Sequence, residues 1–283
     1  MLTAHTSFDQ RIVRYEDIHS IQPSDFIALV DAAQIHGRCR ILDCGCGYGA
    51  VTREVLLATE RERLSGAANL AIDLIDESAV QVERAKRELA PWLHATGVTL
   101  AFINGTFPQD LILGSSQYDA IFCKMVLHEI CKDQQLSFLA SIHASLKGGG
   151  RFAFWDVCLS ADIAEFYRAV VRMKDALAGY ETMAERRNFL TEGELRSLFA
   201  ASPFGHLDFV KDIAYRFDTQ KRLLPEFRGD EARFTEWQDF IRRSAGTLSS
   251  AALAGLQYRD DGSSMSFNVR KVIAVATRVH ETG

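Results

Sequence analysis

Three glycines at alternate positions follow an acid in the stretch "RILDCGCGYGAVTREVL": Asp43, then Gly45, Gly47 and Gly49. An apolar run leads in and a helix-forming run leads out. Glycine lets a ligand approach the main chain closely. A turn that opens a helix also presents N–H groups and a positive dipole end. Residues 45–50 fit G-x-G-x-x-A, the dinucleotide pattern. Asp43 points the other way, because an acid there opposes a pyrophosphate and suits a ligand carrying an ammonium group. A second stretch, "YDAIFCKMVLHEICKDQQLSFLASIHASLKGGG", puts Lys124, His128 and Glu129 at the exit of an apolar strand. Histidine titrates near neutrality, so His128 suits a general base that deprotonates a hydroxyl, with Glu129 orienting it or meeting substrate.

These residues need a scaffold that gathers strand ends. Apolar strands are predicted at "RCRILD", "ANLAIDLID", "VTLAFING", "YDAIFCKMV" and "RFAFWDVCL", separated by helical stretches. Ser24 is placed to cap the helix "DFIALVDAAQIHG", which ends at Gly37. Ser78 with Gln81 and Thr191 with Glu194 have capping-box spacing. The helix "DQQLSFLASIHASLKGGG" is read as closing on its glycines. Repeated βα units imply a Rossmann-like, doubly wound α/β sheet, mostly parallel, with helices on both faces. After residue 158 helices dominate, with two late strands at "HLDFVKDIAYRFD" and "SFNVRKVIAVATRV". The expected organisation is one integrated domain. It comprises an N-terminal helical lid (1–23), an α/β core (24–158), a helical insertion with a late core helix (159–205), and late strands with a helical cap insert (206–283, insert about 219–260).

The 283-residue chain is 47% hydrophobic and 24% charged, with a net charge of −5, which fits a folded globular protein and argues against a general nucleic-acid binder. No apolar run reaches the length of a membrane span, and the first residues lack the apolar core of a secretion signal. Six cysteines without a CxxC pair read as reduced thiols, so no metal is expected and the location is expected to be cytoplasmic.

The glycine turn, "LDCGCGYG", resembles the first motif of class I S-adenosylmethionine (SAM)-dependent methyltransferases, and "IDESAVQVERAK" is similar to their second. The resemblance implies SAM as cofactor, S-adenosylhomocysteine as product and a last strand that runs antiparallel. It implies that Asp43, Gly45, Cys46, Gly47 and Gly49 form the cofactor turn, and that Asp76 and Glu77 hold the ribose, with Asp73 as the fallback acid. The third strand departs from the family: it ends in Gly105, Thr106 and Phe107 where an acid is usual, so Thr106 accepts from the adenine and Phe107 covers it. Over the fourth strand the chain resembles plant-type, caffeic-acid-like small-molecule O-methyltransferases. That match makes His128 the base, Glu129 its neighbour, and Lys124 and Cys123 cofactor contacts.

Ligands in such sheets bind at the carboxyl ends of the strands. Three additions are expected to converge there as a lid that excludes water. Tyr15 then acts as a gate beside the cofactor, and Trp155, Phe166, Tyr167 and Tyr180 line the acceptor pocket. The paired arginines at 186–187 and at 242–243 could each hold an acidic substrate. The expected function is methyl transfer to a small molecule such as a hydroxylated aromatic or other specialised product, at a hydroxyl. N-, C- or S-transfer by positioning is an alternative. So are an NAD(P)-dependent oxidoreductase and a SAM-binding protein that transfers nothing or cyclises its substrate. The partner is a small molecule, not a membrane or nucleic acid, and a homo-oligomer is compatible with each reading.

Overall fold

A computed structural model describes residues 21–61, 69–110 and 116–279. Tyr15 and nearly all of the expected N-terminal lid lie outside the described residues.

Eight strands form one sheet: β1 (Cys39–Cys44), β2 (Leu70–Asp76), β3 (Val98–Asn104), β4 (Tyr118–Lys124), β5 (Leu146–Val157), β6 (Asp208–Asp218), β7 (Arg259–Asp260) and β8 (Met265–Thr277). The order is β3-β2-β1-β4-β5-β8-β6, with β7 paired to β8. The first five strands pair in parallel. Strand β8 slots antiparallel between β5 and β6, so the expected mixed sheet is the one observed. The order reverses at β1, which has β2 on one side and β4 on the other. Cys44 pairs with Ile75 and with Cys123, which levels three strand ends at that reversal. This is the place where open α/β sheets leave a crevice.

The helices are α1 (Pro23–Ala32), α2 (Ala50–Glu60), α3 (Ala79–Glu88), α4 (Gln135–Ser145), α5 (Ala164–Leu177), α6 (Glu181–Arg186), α7 (Glu192–Ala201), α8 (Leu223–Phe227), α9 (Glu231–Ala245) and α10 (Ser250–Leu256). Strand alternation sends successive side chains to opposite faces. Ile41 and Trp155 join a core with Phe26, Leu29 and Val55 on one face. Leu42, Phe152 and Phe154 join Phe138, Leu139 and Phe199 on the other. No helix among the described residues is long and apolar enough to cross a membrane.

Several local expectations need correction. Helix α1 is capped by Gln22 with Asp25, not by Ser24, because Pro23 takes the first helical position and shifts the cap back. It also ends at Ala32, well before Gly37. The glycines after α4 do not close that helix; they lie within β5, which starts at Leu146. A Cβ on Gly150 would meet the Lys147 and Tyr118 carbonyl oxygens at 2.9 and 3.0 Å, so that strand requires a bare backbone. The Thr191–Glu194 capping box forms in full, whereas at Ser78 the hydroxyl accepts from the Gln81 N–H without a reciprocal bond.

The chain after β5 builds a third core. Phe166 and Tyr167 of α5, Phe217, Phe267 and Trp237 of α9 pack together. The Trp237 indole N–H donates to the Val170 carbonyl of α5 at 2.9 Å, pinning the late helices to the earlier ones. Trp237→Ala should therefore lower unfolding free energy by about 3–5 kcal/mol. Urea denaturation checks this, and a midpoint equal to wild type would refute the anchoring role.

Candidate active site

The glycine turn works differently from a phosphate cradle. The N–H groups of Gly45 and Cys46 both donate to the Ile75 carbonyl, at 2.9 and 3.0 Å, and that of Gly49 donates to Cys46 O at 2.9 Å. The Gly47 N–H donates to the Asp76 carboxylate at 2.8 Å. Four of the turn's donors are thus already used, one of them on an acid. A pyrophosphate needs such donors left open, so the dinucleotide reading loses its physical basis here. A ligand that needs bare backbone and nearby acids keeps its basis. Gly45 has φ +70°, and a Cβ there would meet Val126 Cγ2 at 2.4 Å. Gly47 has φ +53°, and its missing Cβ leaves open space in the cleft wall.

Asp43 lies beneath the turn instead of facing the cleft. One carboxylate oxygen accepts from the Thr52 N–H at 3.2 Å and from the Thr52 hydroxyl at 2.7 Å, which ties β1 to the first turn of α2. Burial pushes its pKa up to about 6, against the pull of the Thr52 hydrogen bonds. Through that oxygen Asp43 supports the turn, and its other oxygen, Oδ1, has no hydrogen-bond partner among the described residues. Asp76 does face the cleft, and it bridges the glycine turn to α3 by also accepting from Ser78 N at 2.9 Å.

The β4 exit turns sharply. Met125, a non-glycine at φ +59°, donates its N–H to Trp155 O at 2.7 Å. A 3₁₀ turn over Leu127–Glu129 then directs His128 inward. Its Nδ1–H donates to Asp156 Oδ1 at 2.6 Å, and its backbone N–H donates to Asp156 Oδ2 at 3.3 Å. Its Nε2 lies 3.2 Å from Glu129 Oε1. The ring stacks on Phe189 with centroids 4.8 Å apart. Burial works against protonation, but Asp156 and Glu129 outweigh it and raise the His128 pKa to about 9. Glu129 in turn is buried, yet Arg187 and His128 hold its pKa well below the usual carboxylate range. His128 is thus an imidazolium at neutral pH, not the free base its position suggests.

Arg187 chelates Glu129 through Nε and Nη2, at 2.9 and 2.7 Å. Its Nη1 reaches Asp175 at 2.7 Å. Lys174 continues the chain to Asp175 at 3.0 Å and Glu226 at 2.8 Å, and Arg222 meets Glu226 at 2.7 Å. Alternating buried charges thus run from the cleft wall into the late helices.

The cleft encloses about 600 Å³, within the range of small-molecule and cofactor sites. Of the expected site residues, the structure brings together Gly45, Cys46, Gly47, Asp76, Glu77, Gly105, Thr106, Phe107, Lys124, His128 and Glu129 in its lining. Gly49 and Cys123 lie outside that lining. Gly49 packs against Leu89 of the α3 side, and Cys123 is buried in β4. The four expected acceptor-pocket aromatics are absent from it as well. Trp155 is fully buried beneath Lys124, whose ammonium lies 5.5 Å from its ring. Phe166 packs on Phe267, Tyr167 packs on Phe189, and Tyr180 is buried at the start of α6. Trp155 belongs to the first core and Phe166 and Tyr167 to the third, where burying large apolar surfaces outweighed exposing them to a ligand. Among the described residues, the chain beyond β5 contributes only Arg186 to the lining. Sequence reasoning missed Asp156, Gln81, Arg84 and the Glu129–Arg187 pair. The signal for Asp156 was a single acid inside the apolar run "RFAFWDVCL".

Residues 42–152 match the family model described as "Methyltransferase domain". That stretch of the chain is similar to a methyltransferase domain. It is 30% identical over 118 residues to an uncharacterized methyltransferase, sll0829, from Synechocystis sp., a match covering 42% of this chain and 47% of that protein. The chain thus spans about half the length of the curated relative it matches. The YcgJ protein of Bacillus subtilis superposes with a TM-score of 0.68 at 15% identity, over 92% of this chain and all of that one. Geranyl diphosphate C-methyltransferase from Streptomyces coelicolor A3(2), solved with S-adenosyl-L-homocysteine, superposes at 0.50 and 15% identity, over 92% and 77% of the two chains. These likenesses carry the fold. The domain match, the bare turn and the acids at the β2 exit support SAM as the cofactor.

A raised histidine pKa stabilises the fold below the unfolded value and is lost as pH rises through the folded one. The His128 contribution should be complete below pH 6.5 and disappear as the pH passes about 9. Histidine NMR titration should find His128 near 9, and lower in Asp156→Asn. A wild-type midpoint at the ordinary 6.5 would reject the double-carboxylate clamp.

Proposed function

We propose that this chain transfers a methyl group from SAM to a small-molecule acceptor. The observation that carries the reading is the used-up set of main-chain donors in the glycine turn, next to two acids at the β2 exit. Gly45 to Gly47 would hold the cofactor along the bare backbone, Asp76 and Glu77 its ribose hydroxyls, and Thr106 and Phe107 its adenine. When bound, the cofactor supplies an electrophilic methyl group on a sulfonium. In-line displacement at such a methyl gains chiefly from positioning. Lys124, His128 and Glu129 line the same cleft and so bound the region where an acceptor meets the methyl.

Calorimetry with S-adenosylhomocysteine and, separately, NADH tests the cofactor. Binding of NADH alone would remove the reading. Asp76→Ala should weaken S-adenosylhomocysteine by about 1–3 kcal/mol, the worth of hydrogen bonds to a charged group. An unchanged affinity would reject the ribose role. Transfer itself is read as a product heavier by one methyl, whereas an unchanged mass points to cyclisation or to binding without transfer.

A hydroxyl acceptor is the second reading, and the Asp156 clamp favours it. An acid on Nδ1 fixes the tautomer and ring orientation that a general base requires. The same clamp keeps His128 protonated until the pH nears about 9. If His128 is the base, kcat with a hydroxyl acceptor should climb across pH 7–9 and His128→Ala should abolish the climb. A pH-independent kcat that survives His128→Ala would assign transfer to positioning alone, as for an N-, C- or S-acceptor.

A further inference from the structure

Arg186 and Arg187 are neighbours with opposite fates. Arg187 turns inward and grips Glu129 with its Nε and Nη2 edge, at 2.9 and 2.7 Å. Arg40 turns that same edge onto a single oxygen of Asp73, Oδ2, at 3.1 and 2.8 Å. Two parallel N–H groups matched to two carboxylate oxygens are the strongest arrangement a guanidinium offers. Arg186 lines the cleft, and its equivalent edge is incompletely paired. Its Nη2 lies 3.5 Å from Glu77 Oε1, at the outer limit of a hydrogen bond. Its Nε is buried and has no hydrogen-bond partner among the described residues. Buried donors are normally paired, so an orphan on a cleft residue calls for an acceptor atom that the described residues do not supply.

We propose that Arg186 is a carboxylate-binding residue of this cleft. Its Nε–H and Nη2–H donate to the two oxygens of a ligand carboxylate, and the long contact to Glu77 is given up. Glu77 is then released toward the ribose hydroxyls, so this inference rests on the cofactor reading at that point. A carboxylate fits better than a phosphate because Asp76, Glu77 and Glu129 line the same cleft. One guanidinium balances a single negative charge among those acids, and a nearly dianionic phosphate would leave an excess. The carboxylate has two chemical sources, the amino-acid end of the cofactor or an acidic acceptor.

Two binding experiments on the full chain separate them. The first compares S-adenosylhomocysteine with 5′-methylthioadenosine, a nucleoside thioether lacking the amino-acid end. If the cofactor is the source, Arg186→Gln weakens S-adenosylhomocysteine about tenfold and leaves methylthioadenosine within about twofold. Arg186→Lys, which keeps the charge and loses the fork, should recover only part of that loss. The second experiment titrates the pairs benzoate and benzamide, cinnamate and cinnamamide, and hexanoate and hexanamide, with and without S-adenosylhomocysteine. If an acceptor is the source, wild type prefers at least one acid to its amide and Arg186→Gln erases the preference. Inorganic phosphate is titrated alongside, and Arg186-dependent binding of phosphate in place of every carboxylate would overturn the assignment. So would an Arg186→Gln protein that matches wild type for both nucleosides and all three acid–amide pairs. Equal weakening of both nucleosides, with a lowered melting temperature, would mark Arg186 as structural and equally defeat it. If neither nucleoside binds wild type, the cofactor reading fails, while the acid–amide pairs still decide Arg186.

Discussion

The seating of the late helices on the sheet depends on one buried chain of alternating charges. Asp156 comes from the end of β5, His128 and Glu129 from the turn after β4, Arg187, Asp175 and Lys174 from the first helical addition, and Glu226 and Arg222 from the second. Each link places an acid against a cation where water is largely absent. Such a chain adds little net stability over an apolar replacement, but removing one member strands a buried charge, at a cost of about 3–5 kcal/mol. It therefore fixes position more than it adds stability. The cleft inherits that precision, because the first two links form its wall.

The glycine turn follows the same logic of full pairing. A turn that binds phosphate keeps its N–H groups for the ligand. Here the backbone of β2 takes two of them and the Asp76 carboxylate takes a third. What remains for a ligand is surface: an open face at Gly47 and acids on the β2 exit. Asp43 supports this from below by holding the start of α2 through Thr52, so the acid at the strand end shapes the turn. Two acids at the ends of β1 and β2 thus share one loop, one from beneath and one from the side.

The sheet was legible from the chain because its signals are local and repeated. Five apolar strands separated by amphipathic helices leave few topologies once crossovers are right-handed. The residues of the cofactor wall were legible for a related reason. They sit at strand exits, where a glycine or an acid interrupts an apolar run. The acceptor-side aromatics were misread because composition alone does not separate a large ring that lines a pocket from one that fills a core. Phe166 and Tyr167 had partners in Phe267 and Phe189, further along the chain, and the third core claimed them. Long-range pairing also hid the state of His128. Its type and place suggested a base, while its charge is set by Asp156, 28 residues away, and by its neighbour Glu129.

Arg186 and Arg187 illustrate why identical neighbours resist sequence reading. Helix α6 ends at Arg186, and Arg187 adopts an extended backbone with φ −62° and ψ 128°. Within a helix adjacent side chains diverge by about 100°. At a helix end the change of backbone adds a further turn, which sends one guanidinium into the buried charge chain and the other to the cleft. Which arginine goes where depends on where the helix stops. That stop depends in turn on Asn188, whose N–H donates to the His128 carbonyl at 2.8 Å and whose side chain donates to Gln135 at 3.1 Å. The turn that carries the candidate base therefore also aims the arginine above it, so the acidic and basic walls of the cleft are set by one short stretch of backbone contact.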